Sequence, residues 1–163
     1  MRVPGSLVLP FLLLPFGAAA SGDDGAHDWR KSAPIEEKVE RLVEVMPGAS
    51  NLMLEMGDRY RNLYWAARQG KWDFAAYQAE EIEQLIETLK ITRPKRAATA
   101  AEFQARAYPR ILDAAKSGDW PVFEKAYEDL RGACMACHVQ NDHAFVVLPV
   151  APVSAPSPVL NMQ

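Results

Sequence analysis

Residues 119–138 read DWPVFEKAYEDLRGACMACH, and the fold can be worked outward from this stretch. Asp119 is a helix N-cap residue type, and Pro121 falls in the first turn, where a missing N–H costs nothing. Phe123, Tyr127, Leu130, Cys134 and Cys137 then follow at steps of four, three, four and three. That spacing lays them along one side of an α-helix. His138 comes four residues after Cys134 and so projects from nearly the same side. Aromatic and aliphatic side chains open the stripe and two thiols close it.

The same periodicity runs back through the chain, and no strand pattern interrupts it. Pro34 opens a short helical segment at Ile35-Glu36-Glu37, and Pro47-Gly48 stops it. The spacing predicts a longer helix over 49–69, ended by Gly70, with Met53, Met56, Tyr60, Leu63 and Ala67 on its stripe. Another follows over 72–90, with Ala75, Ala79, Ile82, Ile86 and Leu89 inward and Glu80, Glu81, Glu83 and Glu87 on a solvated face. Thr92-Arg93-Pro94 is a turn. A third helix is expected over 95–116, kinked or split at Pro109. Ser117-Gly118 closes it, and the stretch quoted above is the fourth. The expected fold is therefore all-α, an antiparallel four-helix bundle over 35–145. Gly70-Lys71-Trp72 with Phe74 and Tyr77 is echoed by Gly118-Asp119-Trp120 with Phe123 and Tyr127. The simplest reading is two helix pairs that share one turn solution, each tryptophan plugging the end of the bundle.

Cys134-Met135-Ala136-Cys137-His138 reads C-x-x-C-H, the attachment pattern of a c-type haem. In that pattern the two thiols bond the vinyl groups and the adjacent imidazole takes the iron. The chain has no other cysteines, so none remains for a disulfide. Two other chemistries compete. A redox C-x-x-C normally follows a strand in a βαβ unit. A structural zinc site wants about four ligands; Cys134, Cys137, His138 and His143 could supply them, but so tightly packed in sequence they make a poor tetrahedron. The expected cofactor is one covalent haem c.

Residues 1–20 read as a secretory signal: Arg2, an apolar run from Leu7 to Phe16, then Ala18-Ala19-Ala20 at the cleavage position. The apolar run is short for a transmembrane span, so membrane contact is expected only if the segment stays uncleaved. Residues 21–34 are expected to form a flexible N-terminal segment containing His27. Export to the periplasm suits haem attachment, which occurs outside the bacterial cytoplasm. The net charge of −3 is no nucleic-acid footprint, and a mildly acidic surface suits a basic or mixed protein partner. Residues 146–163 hold Pro149, Pro152, Pro156 and Pro158 and are expected to be extended. Val146, Val147, Leu148 and Val150 are too apolar for a free tail, so part of it should lie across the bundle.

Four antiparallel helices with C-x-x-C-H near the end of the last resemble the class II c-type cytochromes, the cytochromes c′ and their low-spin relatives. Class I cytochromes usually carry the motif near the N-terminus and take a methionine from downstream; here the only methionine after the motif is Met162. The stretches Gly70 to Tyr77 and Cys134 to Phe145, with the proline-rich tail ending in Asn161 and Gln163, are also similar to exported proteobacterial monohaem cytochromes. The resemblance implies electron transfer with redox partner proteins rather than an enzyme. Class II bundles often pair through their first helices, so a homodimer is among the assemblies implied. Cytochromes c′ tend to carry an arginine one turn before the distal position, whereas Arg59 and Arg61 here come after the methionines.

In low-spin class II cytochromes the distal ligand is a methionine of the first long helix, and Met53 and Met56 stand at that place. Thioether sulfur raises the reduction potential and suits electron transfer, although methionine also fills gaps in cores. Met53 is the first candidate and Met56 the second. With neither on the iron, the resemblance implies a five-coordinate haem that binds NO or CO. His143 would have to loop round the haem edge to reach the far side, and a surface or propionate contact suits it better. Arg59, Arg61 and Arg131 are candidate propionate partners, because guanidinium matches carboxylate geometry. No nucleophile with a base, paired carboxylates or phosphate loop points to a separate enzyme site.

Overall fold

The computed structural model describes residues 28–152. The expected signal, His27 and the tail beyond Pro152 lie outside the described residues. Every regular element among them is helical. The chain divides into two units, 1–44 and 45–163. In the first, α1 (Trp29–Ser32) is a single turn capped by the Asp28 carboxylate, inside the segment expected to be flexible; α2 (Ile35–Glu44) follows. Arg41 pairs with Glu37 at 2.8 Å and lies over the Trp29 ring. Helix α2, grouped by sequence with the bundle, belongs to this first unit.

The second unit holds four long helices: α3 (Ala49–Arg68), α4 (Trp72–Thr92), α5 (Ala97–Ser117) and α6 (Trp120–Gln140), with a 3-10 turn Pro94–Arg96 before α5. Each packs against the next in chain order, and α6 also touches α3. Their apolar stripes meet in one core containing Leu63, Ile82, Ile111, Phe123, Tyr127 and Leu130. The inward residues read from sequence on α4 are all buried. On α3 the stripe is wider: Leu52 is buried, and Met53 is only partly so. The glutamates of α4 are tied as well as solvated, Glu81 to Arg59 at 3.4 Å and Glu87 to Lys90 at 2.7 Å.

Helix α5 continues through Pro109, so of the expected kink or split the split does not occur. A helical proline deprives the carbonyl four residues back of its donor. Pro109 and Ala105 are both exposed, so water can reach that carbonyl.

The echoed turns share a left-handed glycine but not their caps: α3 is capped by Gln69 ahead of Gly70, α5 by Gly118 itself. Gly70 and Gly118 both adopt left-handed φ, +72° and +69°, as helix-terminating glycines do. Trp72 lies against Gly118, and its ring centroid is 6.0 Å from that of Phe123. Trp120 meets Phe123 at 5.8 Å and Tyr64 at 5.6 Å. The two tryptophans close one end of the bundle around a shared phenylalanine.

Candidate cofactor site

The opposite half of α6 lines a cavity of about 500 Å³, within the range of roughly 300–1,000 Å³ usual for cofactor pockets. Cys134, Cys137 and His138 form one wall. Met53, Met56, Gly57 and Tyr60 of α3 line it too. Ile82, Ile86 and Leu89 of α4 and Phe103 of α5 supply apolar packing. The cavity thus collects both thiols, the imidazole and both methionines singled out from sequence. Met56 is buried and Met53 half-buried, so the more enclosed sulfur belongs to the second candidate.

His138 is held by the chain that follows it. Its Nδ1 lies 3.3 Å from the Val146 carbonyl. A carbonyl only accepts, so Nδ1 carries the proton and Nε2 keeps its lone pair for a metal. His143 also reaches the cavity, arriving from the segment just after α6, and its Nδ1 faces the Asn141 carbonyl. Among the described residues no group of three or more histidine, cysteine or acidic side chains is gathered as a metal cluster, so Cys134, Cys137, His138 and His143 do not converge as a zinc site would require.

The thiols differ from those of a redox dithiol. Burial pushes Cys134 up to about 12, with the neighbouring Cys137 adding to it. Burial also raises Cys137, against hydrogen bonding with Thr99, the Arg96 charge and a bond from Asn141, which oppose it. Catalytic C-x-x-C thiols are shifted the other way. Asn141 Nδ2 donates to the Cys137 carbonyl and to Thr99 Oγ1, both at 2.8 Å, fixing the end of α6 beside α5.

None of the three arginines named as candidate propionate partners lines the cavity. Arg59 is paired with Glu55 and Glu81, Arg61 with Asp58, and Arg131 donates from Nε to the Leu148 carbonyl at 2.9 Å. The arginine that does reach the cavity is Arg96, in the turn before α5. Its place depends on how that turn meets the end of α6, and no local sequence pattern marks it.

The apolar start of the tail lies on the bundle. Tyr60 Oη donates to the Pro149 carbonyl at 3.1 Å, Leu148 lines the cavity, and Pro152 is buried. Beneath the cavity, Tyr127 Oη donates to the Tyr60 carbonyl at 3.0 Å, and the two rings stack at 4.5 Å. No described helix is long and apolar enough to cross a membrane. In comparisons with known proteins, no family model, no curated protein and no solved structure matches the chain.

Proposed function

We propose that the chain is an exported monohaem c-type cytochrome of the class II kind, an antiparallel four-helix bundle that passes single electrons between protein partners in the periplasm. One observation carries the reading: both thiols and the imidazole of C-x-x-C-H share a single apolar cavity with the methionines of α3. The lining fits the group. Cys134 and Cys137, both facing the cavity, would hold it through thioether bonds. His138, protonated at Nδ1, offers Nε2 to the iron. Met53 or Met56 would take the opposite side, and Arg96 supplies a charge for a propionate.

Haem contributes an iron centre that exchanges one electron reversibly. The protein's part is to set the conditions. The aliphatic lining from α3, α4 and α5 excludes water and favours the less charged state of a buried redox group. A thioether ligand acts in the same direction. Covalent attachment and a packed bundle keep the geometry nearly unchanged between oxidation states. The acidic surface steers a basic or mixed partner.

The alternative is a five-coordinate haem that binds NO or CO. Its support is the same apolar lining, which offers a small uncharged gas a dry pocket if neither sulfur ligates.

The experiment is expression of the full chain with and without a haem-maturation system. Haem that stays on the polypeptide after denaturation, and is lost in Cys134→Ala with Cys137→Ala, supports the reading. A chain recovered without covalent haem from a competent system overturns it.

A further inference from the structure

The segment after α6 turns back sharply. Asp142 adopts a left-handed φ of 64°, an uncommon conformation for a residue with a side chain. His143 N–H returns to the His138 carbonyl at 2.8 Å, and Val146 N–H to the His143 carbonyl at 2.9 Å. Three carbonyls of the returning strand then take three side chains from the bundle. Val146 takes His138 Nδ1 from α6, Leu148 takes Arg131 Nε from α6, and Pro149 takes Tyr60 Oη from α3. Pro149 fixes its own φ and pushes Leu148 into extended backbone. Val146 lies between the turn at Asp142 and the adjacent anchors at Leu148 and Pro149, and its carbonyl is positioned by them.

We propose that this strand is a latch on His138, and that Arg131 is the positioning residue that holds it. The inference rests on the haem reading for its consequence, because a fixed Nδ1–H···O bond orients a ligating imidazole and raises its basicity. Arg131 suits the role. It is half-buried, one and two turns before the motif residues it serves, and it does not line the cavity. A charged donor on a backbone carbonyl makes a stronger hydrogen bond than a neutral one. Arg131 acts through the segment: it donates to the Leu148 carbonyl and does not itself line the cavity.

The test compares Arg131→Met, which keeps length without a donor, with Arg131→Lys, which restores one. Three readings are taken on the full chain. Hydrogen exchange of the His143 and Val146 amides, which bond the His138 and His143 carbonyls, should quicken about tenfold or more in Arg131→Met, as expected for loss of a charge-assisted bond. In haem-free protein, the ¹⁵N shifts of His138 should move from Nδ1-protonated toward a mixture of tautomers. In haem-loaded protein the reduction potential should rise, because a less basic imidazole stabilises the oxidised iron less. Arg131→Lys should recover most of each change. Unchanged exchange and an unchanged His138 tautomer in folded Arg131→Met would refute the latch. A chain that never takes up haem would refute the haem reading instead, while the first two readings still decide the latch. Tyr60→Phe, which removes one hydroxyl from the second anchor, repeats the test if Arg131→Met does not fold.

Discussion

Alkaline conditions should unfold this bundle through two stacked tyrosines. Tyr60 is 4% exposed and Tyr127 2%. Burial pushes Tyr60 from 10.0 up to about 12, offset in part by its interaction with Tyr127. Burial and the adjacent Tyr60 raise Tyr127 well above the ordinary tyrosine range. Both groups hold their protons more firmly folded than unfolded. Their contribution is therefore complete below about pH 10 and is lost as pH rises from about 10 toward the folded values. Each contributes about 1.4 kcal/mol of lost stability per pH unit in that window. Together they remove about 3 kcal/mol per unit, against a total of about 5–15 kcal/mol for a typical domain. Urea unfolding followed by circular dichroism at pH 9, 10 and 11 measures the slope. Tyr60→Phe and Tyr127→Phe should each flatten it by about 1.4 kcal/mol per unit above pH 10. The comparison belongs in a Cys134→Ala, Cys137→Ala background, because the buried thiols titrate in the same direction. Parallel slopes in wild type and Tyr127→Phe would show that the hydroxyl is not enclosed as described.

Four further outcomes follow from the turns and the core, each read from chemical denaturation. Gly118→Ala should cost about 1–2 kcal/mol from its left-handed φ, since a Cβ there meets Trp72 only at an ordinary 3.6 Å. Gly132→Ala, in mid-helix with open space around it, should stabilise by about 0.5–1 kcal/mol; equal signs for the two would refute the assigned backbone. Asp119→Ala removes the carboxylate that accepts from Val122 N–H at 3.3 Å and should cost about 1 kcal/mol. Phe123→Ala, at the meeting point of Trp72, Trp120 and Tyr127, should cost about 3–5 kcal/mol, and a cost under 1 would mean the bundle end is not packed.

The helices were legible because their punctuation is local. A glycine after α3 and after α5 with a tryptophan two residues on, a proline turn after α4, and an apolar residue every third or fourth position write these helices into the sequence. The motif was legible because its chemistry fits in five residues. What escaped depends on contacts between distant segments. Leu52 joins the core because α3 turns a broader face inward than a single stripe suggests. Pro109 reads as a breaker, yet α5 continues through it, with the freed carbonyl of Ala105 at an exposed position. Arg96 enters the cavity through the join of a turn with the end of another helix. The anchors of the tail are backbone carbonyls, identical at every residue, so nothing in the letters singles out Val146, Leu148 or Pro149. Arginine types could be nominated from sequence, but not which of them would find a closer carboxylate or carbonyl first.

On the proposed reading, a methionine of α3 and His138 would both hold the haem iron. The most direct measurement is the ferric visible spectrum of the haem-loaded full chain beside Met53→Ala and Met56→Ala. The account predicts a six-coordinate low-spin spectrum, with the weak long-wavelength band of sulfur ligation, that is lost in one methionine variant and kept in the other. A high-spin wild-type spectrum that shifts on adding CO, unchanged in both variants, would contradict it.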